Sequence, residues 1–158
     1  VSVPLDLVAC GKTLSTGIFN RRVYTAHFMK TLKHKVLEKA HRYPGAIDVM
    51  RIAHARDLRD FDDAYTAPMH GFRNALDYWT RASSKPWLPR ISVPTLVLNA
   101  LNDPFIPASA LPTPDECSSS ILLHQPTDGG HAGFPTGAFP AHLGWLPQRL
   151  GRFFETGL

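Results

Sequence analysis

Thr95-Leu96-Val97-Leu98-Asn99-Ala100-Leu101, closed by Pro94 on one side and Asn102-Asp103-Pro104 on the other, is the stretch on which the fold turns. It is short, apolar and β-prone, and turn residues bound it. That is the pattern of a strand buried on both faces of a parallel sheet. Residues 118–124 form the next strand candidate, which runs out in Thr127-Asp128-Gly129-Gly130-His131. Between the two, residues 107–111 read as a short helical turn. A final helix is expected from about 140 to 154, with Leu143, Trp145, Leu146, Leu150, Phe153 and Phe154 as its apolar stripe. Strand, crossover, strand and helix is α/β grammar.

Upstream the pattern is helical. Residues 21–40 repeat Val23, Phe28, Leu32, Val36 and Ala40 at helical spacing, and Tyr43-Pro44-Gly45 ends the run. Further helices are expected near 46–55 and 71–82, the latter on Phe72, Ala75, Leu76 and Trp79. Residues 13–20 read as a loop punctuated by Gly11, Gly17 and Asn20. The first residues, Val1-Ser2-Val3, read as the tail of a strand that begins upstream, so the sequence is expected to be a fragment.

Composition narrows the class. The 158 residues are 44% hydrophobic with a mean hydropathy of −0.13, an ordinary globular balance rather than a disordered or fibrous one. No apolar run approaches the roughly 20 residues that cross a bilayer. Two cysteines, Cys10 and Cys117, suit a reducing compartment, and the expected location is cytoplasmic. The net charge of +4 gathers between Arg21 and Arg42. A solvated helix face accounts for it, and nucleic acid is not the expected partner.

Chemistry is expected where strands end. Asp103 follows one strand directly, and His131 follows the next on a loop loosened by two glycines. Their separation of 28 residues suits one strand–crossover–strand unit, which brings both loops to one edge. A carboxylate on one ring nitrogen makes the other a general base. The alternative is that Asp103 caps its turn and His131 is an ordinary loop residue.

Leu98-Asn99-Ala100-Leu101-Asn102-Asp103-Pro104-Phe105, followed by Gly129-Gly130-His131-Ala132-Gly133-Phe134, resembles the YheT-like α/β-hydrolase family. Asp60-Phe61-Asp62-Asp63-Ala64-Tyr65-Thr66-Ala67-Pro68 with His70-Gly71-Phe72 is similar to its cap segment, and Ser2-Val3-Pro4-Leu5-Asp6-Leu7 to the end of a core strand. The resemblance spans almost the whole chain. It implies a partial α/β-hydrolase fold: residues 1–10 ending a core strand, 11–90 a helical cap region, and 91–158 a carboxyl-terminal α/β core. Three parallel strands with flanking helices are expected. The implied activity is serine-dependent hydrolysis of carboxylic esters of short or medium acyl chains, as in a carboxylesterase or lipase. Asp103 is the implied acid and His131 the base, with no cofactor and no metal. Phe28, Phe61, Tyr65, Phe72 and Trp79 are candidates for lining an acyl pocket, with ordinary cap core as the alternative for each.

One element of that family's chemistry is absent. The nucleophile of an α/β-hydrolase sits in G-x-S-x-G ahead of the acid and the base, and this sequence has no such motif. Ser15 lacks the preceding glycine. The serine and the oxyanion donors are therefore expected upstream of residue 1, and the chain is expected to be inactive alone. A core strand ending near Leu5 leaves a bare edge, which predicts either a missing amino-terminal half or self-association from Val1 to Leu5.

Rival constellations are weaker. His27, His34 and His41 recur every seven residues, roughly 10 Å apart along a helix, too far to share a metal ion. Gly11-Lys12-Thr13 mimics a phosphate loop, but its partner glycine is replaced by Asp6. Cys10 reads as a buried apolar residue rather than a nucleophile. Asp128 is an alternative acid whose closeness to His131 favours a turn cap, and Asp62 and Asp63 are adjacent and do not face one another on a helix. The runner-up function is a non-catalytic basic module binding nucleic acid or anionic surfaces through Arg21, Arg22, Lys30, Lys33, Lys35 and Lys39.

Overall fold

The computed structural model describes residues 1–157. The chain divides into two units: a sheet unit, Val1–Asp6 with the chain from Ser84 onward, and a helical unit, Leu7–Ser83. The segment expected as a cap, 11–90, contains most of the latter.

In the sheet unit, β1 (Thr95–Leu98) pairs in parallel with β2 (Ile121–His124) in the register Thr95 to Ile121 through Leu98 to His124. Alternation along β1 divides the core in two. Leu96, Leu98 and Ala100 pack with Phe134, Trp145 and Leu146, whereas Val97 packs with Leu5, Leu88, Ile121 and Leu123. Both faces are covered, as the continuous apolar run requires. Beyond the strands the pairing continues into the loops, with Asn99 N–H on His124 O at 3.1 Å and Leu101 N–H on Pro126 O at 2.8 Å. The crossover holds two 3₁₀ turns, Ala108–Ala110 and Pro114–Glu116, the second closed by Thr113 N–H on Glu116 Oε2 at 2.9 Å.

Two expectations change here. Three parallel strands were expected, and two form among the described residues. The amino-terminal segment lies beside β1 with one ladder bond, Ser2 N–H to Leu98 O at 2.8 Å, but Ser2 has a φ of +50° and Pro4 has no N–H to give. The last helix starts late, at Trp145, and its stripe is narrower than expected. Thr136 and His142 exchange both backbone hydrogen bonds, which holds residues 140–144 out of helical geometry and leaves Leu143 exposed.

The helical unit consists of α1 (Leu7–Ser15), α2 (Ala26–Arg42), α3 (Val49–His54), α4 (Leu58–Phe61), α5 (Ala67–Met69) and α6 (Ala75–Ala82), with π-helical turns at Asn20–Thr25 and Asp62–Thr66. Local capping starts three of them: Asp48, Asp57 and Asn74 accept the amides of Arg51, Asp60 and Asp77. Its core joins Met29 and Val36 of α2 to Ile52, Ala55, Phe61 and Ala64. The buried stripe of α2 is therefore Met29–Leu32–Val36, not the expected one that included Val23. The π-turn before α2 inserts an extra residue and shifts the helical phase, turning Val23 outward. The expected loop at 13–20 is also partly helix. Gly11 lies inside α1 rather than ending it, because a Cβ there would sit 2.8 Å from the Trp79 ring. Glycine at this position lets α1 close on α6.

Candidate active site

Asp103 stands just beyond β1, where its own carboxylate builds the turn. Oδ1 accepts the amides of Phe105 at 2.8 Å and Ile106 at 3.3 Å. This fixes the side chain in a fully buried position and points Oδ2 at the neighbouring loop. There it meets His131 Nδ1 at 2.8 Å. A carboxylate only accepts, so Nδ1 carries the ring proton and Nε2 is left as the basic nitrogen. The His131 side chain is 40% exposed, against a fully buried Asp103 carboxylate.

The loop bearing His131 is shaped by its two glycines for different reasons. Gly130 has a φ of +60°, a backbone state that glycine adopts without strain. Gly129 is needed for close approach: a Cβ there would lie 2.9 Å from Ala100 Cβ and closer still to the Phe134 ring. Phe134 in turn stacks on Trp145 at 5.4 Å. The Phe105 ring meets the His131 imidazole edge-on at 4.6 Å and limits its rotation.

The residue that joins the two loops is one the sequence reading passed over. Asn102 Oδ1 accepts the amides of Gly129 at 3.0 Å and Gly130 at 2.9 Å, and its Nδ2 donates to Asp128 Oδ1 at 3.2 Å. Asn102 reads in sequence as turn punctuation. The available signal was an amide side chain, both donor and acceptor, next to the acid and opposite two glycine amides.

Comparison with known proteins finds relatives along the whole chain. "Putative esterase YheT" of Escherichia coli (strain K12) is 34% identical over 160 residues, covering all of this chain and 46% of the relative. An "Abhydrolase domain-containing protein" of Dictyostelium discoideum is 31% identical over 162 residues, covering all of this chain and 40% of that protein. "Phospholipase ABHD3" of Mus musculus is 29% identical over 155 residues, 98% of this chain and 38% of that protein. Over its whole length the chain is similar to the YheT-like α/β-hydrolase family. It spans less than half the length of these relatives. No protein-family model matches the chain, and no solved structure matches it significantly.

In this YheT-like chain the other candidates take separate places. Asp128 accepts from Asn102 and from Thr127 Oγ1, so it braces the loop, while Asp103 is the carboxylate on His131. His124, at the end of β2, accepts Arg149 Nε at 2.8 Å. Burial first, and the Arg149 charge second, lower its pKa and favour the neutral ring that this bond needs.

The five aromatic candidates do not share one environment. Phe61 is buried in the helical core with Tyr65 packed against it, the core environment weighed as its alternative. Phe72 packs on Tyr78 at 5.3 Å and under Arg81, and Phe28 meets His27 edge-on. Trp79 lines a cavity of about 340 Å³ with Val8, Gly11, Lys12 and Leu76 among others.

Asp62 and Asp63 each hold α6 by a different bond. Asp62 Oδ2 accepts Trp79 Nε1 at 2.7 Å, and Asp63 Oδ1 accepts the Ala75 amide. Cys10 is buried in α1. Among the described residues no three His, Cys, Asp or Glu side chains gather to hold a metal ion, and no helix is long and apolar enough to cross a membrane.

Proposed function

We propose that this chain supplies the acid and base of a serine hydrolase that cleaves carboxylic esters of short to medium acyl chains. The serine itself would come from a segment outside these 158 residues. The observation that carries the reading is the 2.8 Å contact between buried Asp103 and His131, whose side chain is 40% exposed. His131 Nε2 takes the serine proton as the serine oxygen attacks the ester carbonyl. Asp103 stabilises the imidazolium that forms, and the same proton then passes to the leaving alcohol. Water repeats the sequence on the acyl-enzyme, returning the serine and releasing the acid. The oxyanion donors belong with the serine segment, since one of them is the amide that follows the nucleophile.

Relatives named as an esterase and a phospholipase support an ester bond as the target. The absence of G-x-S-x-G from the sequence supports inactivity of these residues alone. The proposed partner is the serine-bearing segment, paired along the edge from Val1 to Leu5 where Ser2 bonds to Leu98, or a second copy of the chain in its absence. No cofactor takes part, and the cytoplasm is the proposed location.

The test is turnover of p-nitrophenyl esters by a polypeptide carrying this chain together with the serine segment. His131→Ala is expected to lower turnover by at least about 10³-fold with folding unchanged. Unaltered turnover removes His131 from the mechanism.

A further inference from the structure

The helical unit carries a surface that ester hydrolysis leaves unused. Arg21, Arg22 and Arg56, with Ile18, Thr25 and Asp57, line a recess of about 320 Å³. Ile18, which lines the recess, is 74% exposed, and on the same segment Phe19 is 64% and Val23 46% exposed. The π-turn at Asn20–Thr25 produces this display. Its buried Thr25 anchors the segment through Oγ1 to Leu14 O at 2.7 Å, while Phe19 is propped edge-on against Tyr24. The two nearby carboxylates are occupied with their own turn. Asp57 accepts the Asp60 amide, and Asp60 accepts the Arg56 amide and lies 3.5 Å from Arg56 Nε. Arg21 and Arg22 are left facing the recess with Arg56, three guanidinium groups against those two acids.

We infer that this surface docks on an anionic phospholipid membrane face, the guanidinium groups on lipid phosphodiesters and Ile18, Phe19 and Val23 in the interfacial layer. Guanidinium binds phosphate oxygens in a forked, two-point manner. Basic and exposed apolar side chains together are what interfacial binding uses, whereas a nucleic-acid backbone needs only the charge. This inference stands apart from the acid–base pair and does not need an active enzyme.

The experiment is flotation of the 158-residue chain with vesicles of equal parts phosphatidylglycerol and phosphatidylcholine, against vesicles of phosphatidylcholine alone. Binding to the first and not the second is expected, weakening as salt is raised. The triple variant Arg21→Gln, Arg22→Gln, Arg56→Gln is expected to lose about 100-fold in partitioning, at roughly fivefold per charge. Ile18→Ser with Phe19→Ser is expected to lose at least about tenfold. All five side chains are solvent-facing, so circular dichroism and melting of both variants should match the parent. Lys30→Gln with Lys35→Gln, exposed on α2, should stay close to the parent.

Equal binding to both vesicles, no binding to either, or a lysine pair as damaging as the arginine triple overturns the inference. So does displacement by millimolar inorganic phosphate, which assigns the recess to a free anion. Tighter retention of duplex DNA than of vesicles at the same salt reassigns the surface to nucleic acid and equally overturns it.

Discussion

Asn102 Oδ1 lies 2.9 Å from the amide of Gly130, so the residue before the acid is bonded to the residue before the base. The amide of Gly129 shares the same oxygen. Asp103 and His131 are thus set at bonding distance by their neighbours as well as by attraction to each other. Hydrogen bonding between the loops continues the strand pairing, and the carboxylate–imidazole contact is its last step.

Removing that tie should loosen the pair before it unfolds the chain. Asn102→Ala leaves two glycine amides without their acceptor and is expected to cost about 1–2 kcal/mol in denaturant unfolding. Asn102→Asp keeps the acceptor, loses the donation to Asp128 and sets two carboxylates together, and its cost should be comparable. In both variants the His131 ring signals in NMR spectra should broaden or shift more than those of His124.

The two glycines should not be equivalent. Gly129→Ala drives a Cβ into Phe134 and Ala100 inside the core, and a loss of about 2–3 kcal/mol is expected. Gly130→Ala meets nothing within 4 Å and pays only for its φ of +60°, about 1 kcal/mol. Thermal unfolding of the two variants orders them, and the reverse order would contradict the packing described.

The Arg73 side chain and amide, with Arg81 beyond, hold the Asp77 carboxyl down at about 2, against the ordinary 3.8. A lowered carboxyl stabilises the folded state above its unfolded value and loses that contribution as pH falls through the folded one. The start of α6 should therefore loosen between about pH 4 and about pH 2. Acid titration followed by the Asp77 carboxyl carbon shift checks the position, and Asp77→Asn should flatten that part of the stability profile.

Asp62 should behave with the opposite sign. Burial raises its pKa despite bonds from Thr66 and Trp79. A raised carboxyl contributes stability below its unfolded value and loses it as pH rises through the folded one. Asp62→Asn keeps an acceptor for Trp79 Nε1 and removes the buried charge, so the variant should gain most, relative to the parent, at neutral pH. Equal pH profiles for the two proteins would count against the assignment.

Strands β1 and β2 and the loops that follow them were legible because their signals are local. A β-prone run closed by prolines can be little other than a buried strand, and parallel pairing forces Asp103 and His131 to the same edge. What escaped the reading depends on contacts distant in sequence. Gly11 looks like a loop signal until Trp79 is placed over it. The π-turn at Asn20–Thr25 has no residue signature, so Val23 was assigned to a stripe that the extra residue rotates away. Leu143 fits a helical stripe, but the Thr136–His142 bridge takes its segment out of the helix. Asn102 was hidden for another reason: its role depends on backbone amides, which carry no residue identity.

The most direct test of the central claim is the tautomer of His131 in this chain, read from nitrogen-15 chemical shifts and the ring N–H proton at neutral pH. The account predicts a proton on Nδ1 held by Asp103, with a strongly downfield N–H signal that disappears in Asp103→Asn. A ring protonated at Nε2 alone in the parent protein, or an Nδ1 signal indifferent to Asp103→Asn, would contradict it.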